Sequence, residues 1–368
     1  MANPLLADDL VALLLDGVLE VDRVLALPGF AGHSRATCDL FVATARRLAR
    51  EALFPAYQEM NREPPRFDGG QVHLHPAMRG LYRQLVELGI LSATRPEEVG
   101  GAALPMTITA VAHAYLMAAN LGVYGLAGLT AGAARLLESF GSGELRERFM
   151  TRLYAGEWTG TMALTEPQAG SSLSDVRTAA TPLPDGSYSI RGSKVFISGG
   201  EQDATENIVH LTLARIDGAP DGIKGVSLFA IPKRREEGGA LVSNDVTCTA
   251  VFDKIGWKAL PSVQLALGEE GDCRGWLVGQ PHRGIAHMFQ MMNEARLMVG
   301  LNGIASASVA YHQALHYARE RPRAAPSPPA TRAPRRSRSS STPTSAACSS
   351  ARRRSSPAAS ASCSGPRP

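Results

Sequence analysis

Two short segments of the chain carry residue types that could cradle a flat ring with polar edges. The first is MALTEPQAGSS at residues 162–172, and the second is KVFISGG at residues 194–200. Small residues and hydroxyls at strand ends leave backbone N–H groups free to contact a ligand. Either segment alone is also compatible with ordinary turn chemistry at the mouth of a barrel. Together they make a ring-binding cradle the leading hypothesis for a site.

Other kinds of site have no matching motif in this sequence. No G-x-G-x-x-G opens a helix after a strand, and no P-loop, H-E-x-x-H or spaced Cys/His set occurs. His312 and His316 share one predicted helix face, but no third metal ligand accompanies them. A dinucleotide-binding Rossmann site is therefore disfavoured, and no metal ligand is predicted.

The residues that precede the cradle, 1–155, are predicted to form a helical domain. Phe41, Ala45 and Leu48 recur at helical spacing, and apolar residues continue this pattern after Pro76. A shorter helix is expected from Glu144 to Tyr154, behind two glycines that end the helix before it. The cradle therefore follows an almost wholly helical region.

One stretch of this helical region, Val99–Ala134, has no charged residue. It is longer than the ~20 residues that span a bilayer. The run is rich in small residues and contains Gly122, Gly125 and Gly128, which favour a break. We expect two buried helices broken at these glycines rather than a membrane span.

Residues 156–280 are predicted to form an all-β domain, a barrel or sandwich, that presents the cradle. Short β-branched and aromatic segments such as SYSIRGSKVFIS and GVSLFAIPK alternate with turn formers. Helical spacing returns after Gly284, which predicts one helix within residues 281–321. Its apolar face should hold Ile285, Met288, Phe289, Met292, Ala295 and Val299. The sequence thus predicts an α+β multidomain fold that ends in the start of a C-terminal helical domain.

The last 47 residues, 322–368, contain no Val, Ile, Leu, Met, Phe, Trp or Tyr, and carry nine arginines without an acid. Such a segment cannot bury enough apolar surface to offset the entropy of ordering, so disorder is predicted. The preceding helix, AYHQALHYARER, gives way to this segment without a cap. That abruptness favours a shifted reading frame over the alternative, a natural basic tail that binds nucleic acid or anionic lipid.

Charge and cysteine content argue against a nucleic-acid-binding or a secreted protein. Without the last 47 residues the chain has 29 basic against 34 acidic side chains, and a mildly acidic body does not point to nucleic acid. The five cysteines include no C-x-x-C pair, and the N-terminus lacks the basic region of a secretory signal. These features predict a cytoplasmic protein.

In this order, the two cradle segments resemble the T-E-P-x-A-G-S and K-x-[FW]-I-[ST]-x-[GA] motifs of the acyl-CoA dehydrogenase family. Two further segments are similar to family motifs, DGIKGVSLF at residues 221–229 and FQMMNEAR at residues 289–296. The resemblance covers residues 37–321 and is greatest to the methylmercaptopropionyl-CoA dehydrogenase branch. Ser172 departs from the aspartate that the family commonly has there, which puts the phosphate contact in doubt.

The resemblance implies a cofactor, FAD, and a set of contact residues. It places Met162, Leu164 and Thr165 against the flavin ring, and Phe196 and Ser198 beside its reactive nitrogen. Ser171 would contact the pyrophosphate or the pantetheine, while Asn293 and Arg296 would contact the CoA portion of the substrate or brace the site. The alternative for the last two is a solvated helix face.

The family reaction needs a carboxylate base, which normally lies in the C-terminal helical domain. A minority of members carry it immediately before the arginine matched by Arg296, where this chain has Ala295. Glu294 is adjacent but about 100° away around a helix. No catalytic residue is therefore assigned, and the chain is expected to be truncated and to lack the base.

Three functions remain open at this point. The first is an FAD-dependent acyl-CoA dehydrogenase with an acyl-CoA substrate, an electron-transfer flavoprotein or similar acceptor, and a homo-oligomeric intact form. The second is a non-catalytic acyl-CoA or flavin-binding module. The third, an adaptor that binds nucleic acid through its basic tail, ranks last because the rest of the chain predicts no nucleic-acid partner.

Overall fold

The computed structural model describes residues 3–324 and 336–338. Packing divides the chain into two compact units. One unit holds the chain up to Phe54, Leu104–Ala119 and the chain from Leu297. The other holds Pro55–Ala103 and Asn120–Arg296. Both cradle segments fall in this second unit.

The chain begins with helices α1 (Asp8–Leu13), α2 (Val21–Leu25) and α3 (Arg35–Leu48). Ser34 caps α3, because its hydroxyl accepts a hydrogen bond of 3.2 Å from Thr37 N. The predicted amphipathic helix is confirmed, but its buried face is rotated relative to the prediction. Val42 and Ala45 are buried whereas Phe41 and Leu48 are half-buried.

Helices α4 (Phe54–Arg62) and α5 (Ala77–Glu87) follow, and a hairpin of β1 (Arg66–Asp68) and β2 (Gln71–His73) lies between them. The hairpin turns at Gly69 and Gly70, whose φ angles are 54° and 82°. Glycine reaches this left-handed region without the penalty of a Cβ atom. The prediction of an almost wholly helical N-terminal region missed this hairpin.

The uncharged stretch forms α6 (Met106–Phe140), which is kinked at Asn120. The prediction of two buried helices is confirmed, but the break was misplaced. It lies at Asn120, with φ −158° and ψ 90°, and not at the glycines. The Asn120 side-chain oxygen accepts a hydrogen bond of 3.3 Å from Val123 N and so starts the next helical segment. Among the described residues, α6 is the one helix long and apolar enough to cross a membrane, but 72% of its most apolar window is buried. That burial is typical of a core helix.

The predicted short helix is present as α7 (Gly143–Leu145) and α8 (Thr151–Tyr154), joined by a π-helical turn at Arg146–Met150. Ser142 caps α7, since its hydroxyl accepts a hydrogen bond of 3.2 Å from Leu145 N.

The middle region is a β-barrel, which confirms the predicted all-β domain. The region contains β3 (Thr159–Ala163), β4 (Ala179–Pro182), β5 (Tyr188–Ser198), β6 (Ile208–Ile216), β7 (Val226–Pro232), β8 (Arg234–Glu237), β9 (Ala240–Ser243), β10 (Val246–Val251), β11 (Ser262–Leu267) and β12 (Arg274–Leu277). Strands β8 and β9 pair with each other in a separate hairpin, and the other strands form the barrel sheet. Strand β4 pairs with both β5 and β6, which closes β5, β12, β7, β6 and β4 into a ring. Strand β3 joins through parallel pairing with β6, and β11 and β10 extend the sheet antiparallel from β5.

Two apolar clusters hold the second unit together. One fills the barrel and includes Ile190, Phe229 and Val263, each at most 1% exposed. The other includes Trp158 and Leu211, each at most 2% exposed, and packs the outer face of the barrel against the neighbouring helices. Both faces of β6 and β7 are covered, so these strands are buried at almost every position.

The predicted helix after the barrel is α9 (Gly284–Glu320). Its predicted apolar face is not uniformly buried. Met288 is 1% exposed, whereas Phe289 and Val299 are 42% and 62% exposed. Ile285, Met292 and Ala295 are half-buried.

Beyond α9, β13 (Pro322–Ala324) pairs antiparallel with β14 (Arg336–Arg338). The sequence predicted no regular structure there, so these two short strands correct that prediction. The same prediction for residues 325–335 and 339–368 lies outside the described residues.

Candidate functional site

The two cradle segments meet at one end of the barrel. The first segment starts within β3 and continues past the end of this strand, whereas the second forms the end of β5. Val195 N donates a hydrogen bond of 2.9 Å to Thr165 O. The cradle hypothesis required these segments to be neighbours, and this bond joins them directly.

A buried ion pair lies beneath this junction. Lys194 Nζ and Glu166 Oε1 are 2.7 Å apart, with side chains 0% and 3% exposed. Burial opposes the ionised carboxylate, but the Lys194 charge and hydrogen bonds outweigh it and hold the pKa of Glu166 at about 2. Burial lowers the pKa of Lys194, and the Glu166 charge limits this shift. We call this pair the Lys194–Glu166 node.

Phe196, between the node and the end of β5, has an unusual conformation. Its φ angle is 60°, and the residue is 63% exposed. The left-handed region costs a residue with a Cβ about 1–2 kcal/mol. The ring centroid lies 4.7 Å from that of Phe252. Phe196 lies where the pairing of β5 with β11 shifts register, so a β-bulge accounts for this φ angle. Bulges often redirect a side chain beside a functional site.

The end of β5 is held by its neighbour β11. Ser198 is paired with Ser262, and Gly199 N donates a hydrogen bond of 2.8 Å to Pro261 O. Gly199 has a φ angle of 65°, which suits a residue without a Cβ atom. The half-buried Ser198 hydroxyl is therefore carried on a fixed backbone.

The other predicted residues of the first segment differ in exposure. Met162 and Leu164 are half-buried and pack against the cluster on the outer face of the barrel. Thr165 is half-buried, and Ser171 is exposed. The structure thus places Thr165 beside the second segment, while Ser171 lies on the loop that leads away from it.

The predicted substrate residues lie on α9. Arg296 Nη1 donates a hydrogen bond of 2.6 Å to Asn293 Oδ1, and both residues are exposed. The Arg296 guanidinium is 5.4 Å from the Phe289 ring centroid, within the range of a cation–π contact. The described hydrogen bonds join this pair to each other rather than to the cradle strands.

Glu294 is ion-paired with Arg135 of α6. This agrees with the prediction that Glu294 points away from its helical neighbour Ala295. Arg135 also donates a hydrogen bond of 3.0 Å to Thr94 Oγ1. The carboxylate of Glu294 therefore joins α9 to α6, and Arg135 extends this contact to the loop that holds Thr94.

Three buried polar residues near the cradle were not identified from the sequence. The roles of Lys194 and Glu166 were not assigned, although each carries a charge within a segment of small and apolar residues. His210 of β6 was missed too. Its Nδ1 is 2.8 Å from Thr161 Oγ1, and burial lowers its pKa to about 3. His210 is therefore neutral at pH 7.

Comparison with known proteins assigns the chain to a family. The family model for the N-terminal domain of acyl-CoA dehydrogenases matches residues 36–157, and the model for the middle domain matches residues 161–268. The chain belongs to the acyl-CoA dehydrogenase family.

Among curated relatives, 3-methylmercaptopropionyl-CoA dehydrogenase of Ruegeria pomeroyi is 41% identical over 75% of this chain and 47% of its own. A broad-specificity linear acyl-CoA dehydrogenase of Mycobacterium tuberculosis is 37% identical over 83% of this chain and 51% of its own. The chain therefore spans about half the length of these relatives.

Solved structures show the same fold. Butyryl-CoA dehydrogenase from Megasphaera elsdenii aligns with a TM-score of 0.70 and 21% identity, over 89% of this chain and 77% of that one. An acyl-CoA dehydrogenase from Bacillus anthracis, solved in complex with FAD, aligns with a TM-score of 0.63 and 23% identity, over 79% of this chain and 45% of that one.

Proposed function

We propose that this chain provides the flavin-binding part of an FAD-dependent acyl-CoA dehydrogenase, which oxidises the bond between the α and β carbons of an acyl-CoA thioester. The observation that carries the proposal is the hydrogen bond from Val195 N to Thr165 O, since it brings both cradle segments to one place. FAD, when bound, supplies the hydride acceptor. Family membership and the FAD complex of the Bacillus anthracis protein support the choice of cofactor.

The residues present fit such a ligand. The Thr165 and Ser198 hydroxyls are half-buried at strand ends and can donate to the polar edge of a ring. Donors placed in advance favour a ligand whose edge gains negative charge. Phe196 offers an exposed aromatic surface, and the exposed Ser171 is available to a pyrophosphate or pantetheine. Met162 and Leu164 supply apolar surface on the same segment.

The substrate and partners are part of the same proposal. Arg296 and Asn293 present a charged donor fork and an amide on one exposed helix face, which suits the CoA portion of a thioester. The electron acceptor is proposed to be an electron-transfer flavoprotein, and the intact enzyme a homo-oligomer. No catalytic base is assigned to this chain.

Titration of the purified chain with FAD, followed by quenching of flavin fluorescence, tests the proposal. Thr165→Val and Ser198→Ala each remove one hydroxyl and should weaken binding about three- to tenfold, the worth of one hydrogen bond. Ser189→Ala is the matched control, because it makes the same change about 30 Å away along β5. A wild-type chain that takes up no FAD, or a control that weakens binding equally, contradicts the proposal.

A non-catalytic acyl-CoA or flavin-binding module is the second candidate. The engagement of Glu294 with Arg135 favours it, because that carboxylate is held in an ion pair. Addition of an acyl-CoA thioester to the FAD-loaded chain separates the two functions. Bleaching of the flavin absorbance indicates a dehydrogenase, whereas binding without bleaching indicates a module.

A further inference from the structure

We propose that Lys194 and Glu166 are positioning residues of the ring-binding site, which fix the backbone of Leu164 and Thr165 against β5 before a ligand arrives. The inference rests on the proposed function and goes beyond it, because neither residue was assigned a role among the flavin contacts. It concerns how the cradle is built rather than which atoms touch the ligand.

The lysine ties three separate parts of the barrel together. Its Nζ donates to Glu166 Oε1 at 2.7 Å, to the Leu213 carbonyl of β6 at 2.7 Å, and to the Leu164 carbonyl at 3.2 Å. These three acceptors match the three protons of an ammonium group. Leu164 directly precedes Thr165, whose carbonyl accepts the hydrogen bond from Val195 N. The lysine therefore holds the segment one residue away from its junction with β5.

The glutamate is fully engaged as an acceptor. It receives hydrogen bonds from Gln168 Nε2 at 2.6 Å, Arg177 N at 2.7 Å and Thr178 N at 3.0 Å, and one of 2.5 Å from the Thr178 hydroxyl. With the lysine, these donors occupy both carboxylate oxygens. Glu166 has little capacity left for a ligand, so its effect on binding is transmitted through the backbone.

Stability alone is a weak explanation for this pair. The desolvation of two buried charges offsets most of their attraction, so an uncharged pair of similar size can be about as stable. Lys194→Met removes the ammonium group that donates to both the Leu164 and the Leu213 carbonyls. The positioning role and the structural role are therefore separable by experiment.

The test compares Lys194→Met with the double variant Lys194→Met/Glu166→Gln in the full chain. The double variant removes the uncompensated charge, so it should recover part of the unfolding stability that the single variant loses. Recovery is incomplete because the new amide NH2 faces N–H donors where a carboxylate oxygen accepted from them. The dissociation constant of the double variant for FAD should stay at least about tenfold above that of the wild type. Exchange of the Val195 amide should be faster than in the wild type by more than the remaining loss of global stability accounts for.

Arg95→Met/Glu138→Gln is the matched control, because it removes a part-buried ion pair of the same unit whose carboxylate is also bonded to Tyr154. It should leave both FAD affinity and Val195 exchange unchanged. Wild-type FAD affinity, or wild-type Val195 exchange, in the Lys194/Glu166 double variant overturns the positioning role.

Two further outcomes remain informative. If the wild type binds no FAD, the proposed function fails, but exchange at Val195 still decides whether the node holds the cradle. If the double variant does not fold, Thr178→Val removes one donor to Glu166 and keeps both charges. This variant should accelerate Val195 exchange by a smaller factor, and unchanged exchange refutes the proposal.

Discussion

Replacement of Lys194 by Met should destabilise the second unit strongly at neutral pH. Glu166 would be left as a buried carboxylate, 4% exposed, without its counter-charge. Removal of one partner of a buried ion pair costs about 3–5 kcal/mol. Glu166 keeps its bonds from Gln168, Arg177 and Thr178, which places the expected loss near the lower limit, about 3 kcal/mol.

Urea unfolding at pH 7, followed by tryptophan fluorescence, to which the buried Trp158 contributes, measures this loss. With a slope of about 2 kcal/mol per molar urea, the midpoint should fall by about 1.5 M. Glu166→Gln in the Lys194→Met background should restore part of this stability, because it removes the unpaired charge and keeps a side chain of similar size, although its amide NH2 faces N–H donors.

The stability that Lys194→Met loses should also depend on pH. In the wild type, the pKa of Glu166 is lowered from 4.5 to about 2, so the stability it contributes is present above pH 4.5 and disappears as the pH falls through 2. In Lys194→Met, burial without the lysine should raise the pKa of Glu166 instead. The difference between the two proteins should be largest at pH 7 and shrink towards pH 2. A loss below about 1 kcal/mol, or one independent of pH, would refute this reasoning.

Three further predictions concern packing, titration and capping. Gly160→Ala would place a Cβ 2.4 Å from Ala133 Cβ and should cost about 1–3 kcal/mol in urea unfolding, whereas Gly143→Ala, with no heavy atom within 4 Å, should cost much less. Burial lowers the pKa of His210 from 6.5 to about 3. The stability linked to its neutral form is therefore fully present above pH 6.5 and is lost as the pH falls towards 3. His210→Leu should flatten the pH dependence of the urea midpoint between these two pH values. Ser34→Ala should lower the stability of α3 by about 1 kcal/mol, as helical circular dichroism during unfolding would show, and an unchanged midpoint would contradict the cap.

The helices and the barrel could be predicted from sequence where a single periodicity extended over many residues. Helix α3 and strands β5 to β7 are of this kind, because one buried face or two buried faces set the pattern. Features fixed by one or two residues were harder to predict. The kink of α6 lies at Asn120 and not at Gly122, Gly125 or Gly128. The asparagine side chain caps the next helical turn, whereas the three glycines lie inside the helical segment that follows.

The site, like the fold, could be predicted only in part. The meeting of the two cradle segments was predicted, because their residue types required a common ligand. The Lys194–Glu166 node was not predicted, although both residues stand in the segments concerned. Its partners include the Leu213 carbonyl of β6 and the Thr178 amide, and no local pattern reveals that tertiary folding will bring these backbone groups to one point.

The conformation of Phe196 could not be predicted from sequence, yet it supports the proposed site. A left-handed φ costs about 1–2 kcal/mol, and an exposed aromatic ring forgoes part of the roughly 1.5–3 kcal/mol that its burial would contribute. Both flanks are fixed, because Val195 is bonded to Thr165 and Ile197 is paired with Val263. The backbone therefore cannot turn the ring inward without breaking these pairings. A flat ligand that covers Phe196 would recover the lost burial, so the strain favours a cradle shaped in advance for a ring.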